Sequence, residues 1–347
     1  MDTRVCRVYG KKDIRVETET VAEPGAGEVL VAVAAGGICG SDLHYYHDGG
    51  FGPIRVQQPM ILGHEASGVI RAVGAGVTDL AVGDRVALNP SMPCGECSYC
   101  AEGLPTHCLN MRFRGSAMRM PHEQGLFRDR LVIPAKQCVK VAPEVDLGEL
   151  ACSEPLSVCL HARTMAGDLQ GKRVLVTGAG PIGALCAAVA RDGGASEIVV
   201  TDLQDYALGA AEKMGATRVI NVGLHSAEME RYTADKGHFD TVFECSAAGP
   251  AIRTAIAAVR PQGKIVQVGV TGDLALPINM LVGKEITYQG TQRFQAEFFD
   301  AVEAIAERRI DVRPIITQTM PLADAVAAFD LAGDRTQAVK VHLTFEG

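Results

Sequence analysis

The spacing of hydrophobic positions changes near residue 150. Before that point, apolar and β-branched runs such as EVLVAVAA (28–35), GVIRAVG (68–74) and GDRVAL (83–88) are separated by turn sequences, and this pattern predicts strands. From Lys172 onward, apolar strands alternate with helical stretches, as in RVLVT, PIGALCAAVARD, EIVVTD and DYALGAAEKMG. Strand–helix alternation predicts a doubly wound parallel sheet, so the expected fold class is α/β with a second, β-rich domain.

These patterns divide the chain into three segments. Residues 1–150 are predicted to form the β-rich domain, with a loop lobe at about 90–110, and residues 151–290 are predicted to form the α/β domain. The alternation ends near Gln289, where a helical stretch (AEFFDAVEAIAERR) and a strand-like end (QAVKVHLTF) follow. Because so short a segment of mixed elements is small for a third domain, residues 291–347 are predicted to return to the first domain.

Composition and charge exclude several classes of protein. The 347 residues are 47% hydrophobic and carry a net charge of −8, so neither disorder nor binding to nucleic acid or an anionic membrane is expected. The N-terminus lacks the apolar core of a signal peptide, and no segment is long and apolar enough for a membrane span. A cytoplasmic location is therefore expected, where the 11 cysteines would be thiols or metal ligands rather than disulfides.

A glycine-rich turn predicts a dinucleotide site. RVLVT leads directly into GAGPIG, in which Gly178 permits a tight turn, Gly180 lets the backbone approach a pyrophosphate and Gly183 allows close helix packing. Asp202 ends the next strand, where a carboxylate accepts hydrogen bonds from the adenosine ribose; it could also cap the following helix. This carboxylate, and the lack of Arg or Lys in the next four residues, favour NAD over NADP.

Four cysteines in one short loop predict a structural zinc site. They follow the pattern C-x2-C-x2-C-x7-C at Cys94, Cys97, Cys100 and Cys108. Four thiolates can complete a tetrahedral shell around zinc and leave no position for a substrate, so the site is expected to be structural. A reduced thiol-rich loop and a [4Fe–4S] cluster are the alternatives.

Several motifs together resemble the zinc-dependent medium-chain alcohol and polyol dehydrogenases. Taken singly, Cys39 in GGICGSDLHYY, His64 and Glu65 in LGHEASG, and Glu154 in SEPLSV could be ordinary core or surface residues. Together with GHE-x2-G-x5-G-x2-V from position 63, the four-cysteine loop, GAGPIG and TQRF, they are similar to that family along essentially the whole chain. The resemblance implies a GroES-like catalytic domain and a Rossmann domain, with the active site in the cleft between them.

The same resemblance implies a catalytic zinc, which brings the expected content to two zinc ions per subunit. Its ligands would be Cys39 and His64, with Glu65 and Glu154 close to the metal, directly or through water. A glutamate in place of a second cysteine is typical of the polyol branch of the family.

Further roles are implied for residues around that metal. Ser41 and His44 are expected to relay the substrate proton to solvent, although they could also be a turn hydroxyl and a surface histidine. The residues expected to face the substrate are Tyr45, Phe113, Glu154 and Arg293. The residues expected to contact the cofactor, besides the turn glycines and Asp202, are Pro181, Ile182, Val268, Gly269, Val270, Thr291, Gln292 and Arg293.

A finer resemblance is to the L-idonate 5-dehydrogenases, through NPSMPCGECSYC, MRFRGSAM followed by PH, and LAGDRTQAVKVHL. It implies oxidation of L-idonate to 5-dehydro-D-gluconate, with sorbitol or xylitol as the alternative substrate. Arg293 and Arg112 are the cations expected to be available for an aldonate carboxylate. Ala207 stands where sorbitol dehydrogenases often carry an arginine near the ribose, which weakens the preference for NAD. Relatives assemble through the edge of the Rossmann sheet, so a homo-oligomer, dimer or tetramer, is expected.

Two other classes of protein remain as alternatives. One is a redox-inactive module that senses NAD, which would not need the complete set of metal ligands. The other is a metal-responsive interaction protein, which would not need GAGPIG and Asp202.

Overall fold

The computed structural model describes residues 1–346, and the first part of the chain is built mainly of short strands. The three strands predicted there are present, with ends that differ from the prediction by up to a few residues. The helices of this part are α1 (Gly40–Asp48), α2 (Ser98–Ala101) and α3 (Leu147–Leu150). Its strands are β1 (Asp2–Gly10), β2 (Asp13–Thr20), β3 (Glu28–Gly37), β4 (Gly50–Phe51), β5 (Ile54–Arg55), β6 (Met60–Ile61), β7 (Glu65–Val73), β8 (Arg85–Leu88), β9 (Ser91–Met92), β10 (Arg112–Phe113), β11 (Arg130–Pro134) and β12 (Cys138–Val141).

The middle of the chain forms the predicted α/β domain. Its elements are α4 (Ser153–Ala166), β13 (Arg173–Thr177), α5 (Pro181–Asp192), β14 (Glu197–Asp202), α6 (Asp205–Lys213), β15 (Arg218–Asn221), α7 (Glu230–Thr233), β16 (Phe239–Glu244), α8 (Gly249–Ala258), β17 (Val259–Gln267), α9 (Ile278–Gly283) and β18 (Thr287–Gly290). The strands run parallel in the order β15-β14-β13-β16-β17-β18. This is the doubly wound Rossmann order, so the predicted fold class is confirmed.

Helices cover both faces of this sheet, which explains its continuous apolar strands. Val174 and Val176 of β13 pack into one apolar layer together with α5 and α6. Leu175, between them, faces the opposite layer and packs with Ile252 and Ile256 of α8. All three β13 side chains are fully buried, and the strand therefore carries no polar alternation.

The C-terminal segment divides its contacts between the two domains. Its elements are α10 (Glu297–Ala306), β19 (Ile316–Pro321), α11 (Ala325–Gly333) and β20 (Lys340–Thr344). The last two strands complete a mainly antiparallel sheet of order β12-β8-β7-β3-β20-β19, with β11 also paired to β3. The segment 291–347 was predicted to join the first domain as a whole, but α10 packs against α4. Ala301, Ala304 and Ile305 of α10 belong to the apolar core of the Rossmann domain.

An apolar cluster at the junction joins the two domains. Phe113 and Leu150 from the first domain pack there with Phe294 and Phe298 from the segment that follows β18. A separate antiparallel sheet, β2-β1-β6, lies in the first domain. Within residues 1–346, no helix combines the length and the apolar character needed to cross a bilayer.

Candidate active site and metal centres

Strand register brings together metal-binding side chains that are distant in sequence. β3 ends at Gly37 and β7 begins at Glu65, and the antiparallel pairing places these two residues opposite each other. Cys39 follows β3 and His64 precedes β7, so both lie at the same end of the strand pair. As a result, the Cys39 Sγ, a ring nitrogen of His64 and a carboxylate oxygen of Glu65 all lie within 4.8 Å of one another.

Sulfur, imidazole nitrogen and carboxylate oxygen are the donors that zinc takes in catalytic sites, so this cluster fits a zinc ion. Asp42, which the sequence interpretation missed, supports two of the ligands from behind. Its Oδ2 accepts a hydrogen bond from the Cys39 amide at 3.1 Å, and its Oδ1 lies 3.8 Å from Nδ1 of His64. The Gly63 amide also donates to Oδ1 at 3.2 Å, so Asp42 holds the backbone just before His64 as well as that of Cys39.

Lys340 of β20 is a second residue that the sequence interpretation missed. Its Nζ donates hydrogen bonds to both carboxylate oxygens of Glu65, at 2.8 and 2.6 Å, and to the Ile38 carbonyl at 3.2 Å. Burial alone would lower the pKa of Lys340, but the Glu65 carboxylate and Cys39 raise it above its ordinary value. The negative charge of Glu65 within the cluster is thus compensated by a buried cation.

Glu154 lies beside the cluster rather than within that 4.8 Å group. It is in the first turn of α4 and almost fully buried. Burial raises the pKa of Glu154 to about 8, while the nearby His64 opposes this shift and Glu65 adds to it. Burial likewise raises the pKa of Cys39 to about 12, and a bound cation would reverse that effect because a coordinating thiol loses its proton.

Three of the four residues expected to face the substrate, Tyr45, Phe113 and Arg293, lie close to one another and to His64. The Arg293 guanidinium lies over the Phe113 ring, 4.1 Å from its centroid, and the Phe113 and His64 ring centroids are 5.7 Å apart. The Tyr45 hydroxyl accepts a hydrogen bond from the Ala117 amide at 3.2 Å. Burial lowers the pKa of Arg293, which the neighbouring Glu154 and Tyr45 oppose. Arg293 also has a φ of +49°, a conformation that surrounding contacts must hold in place.

Ser41 and His44 lie on α1, which starts directly after Cys39. Ser41 is half-buried, whereas His44 is exposed and its Nδ1 lies 2.9 Å from Oδ2 of Asp48. The first turns of α1 therefore lead from the metal-binding cluster to solvent.

The four cysteines of the loop lobe form the second metal-binding cluster. The sulfur atoms of Cys94, Cys97, Cys100 and Cys108 all lie within 4.8 Å of one another, as a shared tetrahedral ion requires. Backbone amides point at these sulfurs: the amide of Cys94 lies 3.2 Å from Cys108 Sγ. Amide donors stabilise thiolates, so the donor set fits a closed zinc site.

The glycine-rich turn has the tight geometry expected of a dinucleotide site. Gly178 has a φ of +89°, which side chains rarely adopt, and a Cβ on Gly183 would lie 1.7 Å from the Gly178 carbonyl oxygen. Asp202 accepts the Ala179 amide at 2.6 Å and therefore lies against this turn. One cavity of about 800 Å³ extends from Gly178, Pro181, Ile182, Gly183 and Asp202 to Cys39 and Glu65, which gives a dinucleotide a continuous path to the metal-binding cluster.

The other residues expected to contact the cofactor lie at the ends of β17 and β18. The amides of Val268 and Gly269 both donate to the Glu244 carbonyl at 2.8 Å, and Val270 is exposed. The Thr291 amide donates to the Gln267 carbonyl at 3.1 Å, its Oγ1 is a buried atom without a partner, and Gln292 is exposed. The buried Thr291 hydroxyl is a polar group that a ligand could satisfy.

Comparison with known proteins identifies the family. The model of the alcohol dehydrogenase GroES-like domain matches residues 25–144, and that of the zinc-binding dehydrogenase matches residues 181–307. The chain is 41% identical to L-idonate 5-dehydrogenase (NAD(P)(+)) of Escherichia coli strain K12, over 99% of both chains. It belongs to the zinc-binding alcohol dehydrogenase family.

Two further matches agree with this family. The chain is 38% identical to D-xylulose reductase A of Aspergillus oryzae, over 88% of this chain and 86% of that protein. The crystal structure of L-idonate 5-dehydrogenase from Escherichia coli superposes with a TM-score of 0.95 at 40% identity, covering 99% of each chain.

In this zinc-binding dehydrogenase, one of the expected substrate cations lies elsewhere. Arg112 pairs with Glu123 at 2.5 and 3.1 Å and is exposed. It lines a separate cleft beside the four-cysteine loop together with Met92 and Cys94. Arg112 is therefore not available to a substrate in the main cavity, because its guanidinium already holds a carboxylate on the lobe surface.

The dehydrogenase site also contains a buried carboxylate that no motif indicated. Glu244 ends β16, and its side chain accepts hydrogen bonds from Thr177, Ser246, Ala247 and Gln267. It thereby joins the loops that follow β13, β16 and β17 at the edge of the sheet where the dinucleotide turn lies. A single acidic residue at the end of an apolar strand carries no pattern by which the sequence could have revealed it.

Proposed function

We propose that the chain oxidises a secondary alcohol of an aldonate, L-idonate, to give 5-dehydro-D-gluconate with NAD(P) as the electron acceptor. The observation that carries this proposal is the half-buried Arg293, whose guanidinium lies over the Phe113 ring, which in turn lies beside His64 of the metal-binding cluster. A guanidinium there can bind the carboxylate at one end of an aldonate while a hydroxyl near the other end approaches the cluster. The likeness to L-idonate 5-dehydrogenase over 99% of the chain supports the same substrate.

The residues of the chain divide the work of binding and proton transfer. When bound, zinc would supply Lewis-acid polarisation of the substrate oxygen, and the nicotinamide would accept the hydride from the alcohol carbon. Cys39, His64 and Glu65 would hold that zinc, with Glu154 beside it, and Asp42 keeps the first two in position.

The proton of the substrate hydroxyl leaves along α1. Ser41 stands between the cluster and the surface, and His44 delivers the proton to water at the exposed end. The Asp48 carboxylate, 2.9 Å from His44 Nδ1, orients the imidazole for this role.

Polar side chains around the substrate limit what the pocket accepts. Tyr45, Glu154 and Arg293 offer partners for substrate hydroxyls, which would be costly to bury unpaired. Phe113 supplies an apolar wall. The turn from Gly178 through Gly180 receives the pyrophosphate at the start of α5, with Gly183 allowing its close packing, and Asp202 receives the adenosine ribose. Pro181, Ile182, Val268, Gly269, Val270, Thr291 and Gln292 contribute the remaining cofactor contacts, and the four-cysteine loop holds a structural zinc.

We further propose a homo-oligomer in the cytoplasm. β18 is an edge strand of the Rossmann sheet, and the segment before it exposes Val270, Ile278 and Val282. Apolar side chains beside a sheet edge favour pairing with a second copy. The 11 cysteines are all unpaired, in keeping with a reducing compartment.

Initial rates of NADH formation test the substrate, with L-idonate and D-sorbitol compared at equal concentration. We expect a clear preference for L-idonate. Arg293→Gln should raise the KM for L-idonate about tenfold or more, because a charge-assisted hydrogen bond is lost, and should affect D-sorbitol less. Arg112→Gln is the matched control and should change neither, because Arg112 pairs with Glu123.

A preference for D-sorbitol would contradict the aldonate proposal. It would favour a polyol as the substrate, in line with the similarity to D-xylulose reductase A. Equal effects of Arg293→Gln on both substrates would contradict the carboxylate role alone.

A further inference from the structure

The dinucleotide cavity contains a cation that comes from the C-terminal segment. Arg335 lies in the loop between α11 and β20, and it lines the same cavity as Gly180 and Asp202. A Cβ built on Gly180 would lie 2.6 Å from Nη2 of Arg335. The Nη2 atom is also 3.9 Å from Oδ2 of Asp202. The guanidinium therefore lies beside the carboxylate that would receive the adenosine ribose.

The separation between Arg335 and Asp202 is longer than a hydrogen bond. Asp202 is instead held by backbone amides: Ala179 donates to Oδ2 at 2.6 Å, and Leu203 and Gln204 donate to Oδ1 at 2.7 and 3.0 Å. The Arg335 side chain is 47% exposed and lines the cavity, so its N–H groups are available to a ligand bound there. Asp202 keeps its place in the turn without a direct bond from the arginine.

We propose that Arg335 binds the 2′-phosphate of NADP, so that the cavity accepts the 2′-phosphorylated dinucleotide as well as NAD. The proposal rests on the proposed function, in which this cavity holds a nicotinamide dinucleotide. A carboxylate beside the 2′-oxygen repels a phosphate dianion, and a guanidinium next to that carboxylate offsets the repulsion. Its two-pronged donor geometry also matches phosphate oxygens.

The sequence next to Asp202 offers no cation to a 2′-phosphate, because residues 203–206 contain no Arg or Lys. The structure supplies the missing cation from the far end of the chain, where β20 pairs with β3 and anchors the preceding loop. The cation thus lies in a loop attached to the sheet of the catalytic domain, whereas Asp202 belongs to the Rossmann domain.

Binding measurements by titration calorimetry test the proposal without turnover. The ligands are NADPH with NADH, and adenosine 2′,5′-bisphosphate with AMP, because each pair differs by the 2′-phosphate alone. We expect Arg335→Gln to weaken NADPH and the bisphosphate about tenfold or more and to change NADH and AMP about twofold at most. Arg335→Lys should recover part of the loss, since lysine keeps the positive charge but cannot form two parallel hydrogen bonds to a phosphate.

Arg313→Gln is the matched control, because Arg313 is an exposed arginine of the C-terminal segment that pairs with Asp311 outside the cavity. It should leave all four affinities unchanged. Unchanged NADPH binding in Arg335→Gln, or an equal loss for NADH and NADPH, would overturn the proposal; the equal loss would assign Arg335 to the pyrophosphate. If the parent protein bound neither dinucleotide, the proposed function itself would fail, and this outcome is distinct from both.

Discussion

Lys340 and Glu65 form an ion pair that is almost completely excluded from solvent, with side chains 2% and 0% exposed. Two hydrogen bonds of 2.8 and 2.6 Å join residues that are 275 positions apart in the sequence. The pair exists because β20 and β7 lie on either side of β3. It ties the last strand of the chain to the residues that converge on Cys39 and His64.

Removal of Lys340 should therefore destabilise the protein strongly. Lys340→Met leaves Glu65 buried without its partner, and we expect the free energy of unfolding to fall by about 3–5 kcal/mol. Lys140→Met is the matched control: Lys140 also pairs with a carboxylate, Asp84 at 2.9 Å, but its side chain is 53% exposed, and about 0–1 kcal/mol is expected. Urea unfolding followed by far-UV circular dichroism measures the free energy of unfolding of both variants. Equal losses in Lys340→Met and Lys140→Met would show that burial does not strengthen the Lys340–Glu65 pair.

The contact between His161 of α4 and Glu297 of α10 predicts a specific loss of stability in acid. Partial burial alone would raise the pKa of Glu297, but hydrogen bonds from His161, 2.9 Å away, and from backbone amides lower it to about 2. Since the folded pKa is depressed, the stabilisation is complete above the unfolded pKa near 4.5 and is lost as the pH falls from there toward 2.

Glu297→Gln removes this titration. Between pH 5 and pH 3, the variant should lose less stability than the parent, by about 1–2 kcal/mol once solvent screening is allowed for. Glu303→Gln, on the same helix, is the control and should follow the parent. Parallel pH profiles for the parent and Glu297→Gln would show that the Glu297–His161 contact does not contribute.

The four-cysteine cluster predicts a metal ion that is independent of catalysis. Cys97→Ser should lower the zinc content by about one ion per subunit, because a tetrahedral thiolate shell tolerates loss of a ligand poorly. Cys138→Ser changes a cysteine of β12 that lies outside both clusters and should leave the zinc content unchanged. Metal analysis after gel filtration measures this, and a full zinc content in Cys97→Ser would refute the assignment.

Much of the fold was accessible from the sequence because the relevant signals are local. The alternation of apolar strands and helices after Lys172 predicted the parallel sheet, since each βα unit carries its own pattern. The glycine spacing of GAGPIG predicted the dinucleotide turn, and the short cysteine spacings predicted the four-cysteine cluster. Each of these lies within a single turn or loop. The convergence of the four cysteines and the tight turn at Gly178–Gly183 agree with those patterns.

The residues that the sequence did not reveal depend on contacts between distant strands. Lys340 and Arg335 reach their positions only because β20 pairs with β3, and neither stands in a pattern that points to a partner. Arg112 shows the converse: a cation near a suggestive motif pairs with Glu123, a partner that no spacing indicates. Likewise, α10 joins the Rossmann core because its apolar face fits α4, although the strands that follow it return to the first domain.

The most direct test of the catalytic assignment is the Cys39→Ala variant, measured for zinc content and for the initial rate with L-idonate. We expect the loss of about one zinc ion per subunit and a fall in rate of about 1000-fold or more, because the Lewis acid contributes several kcal/mol to the barrier. NADH binding should persist, and Cys138→Ala should behave like the parent protein. A Cys39→Ala variant that keeps its zinc and its rate would contradict the assignment of Cys39, His64 and Glu65 as the catalytic metal site.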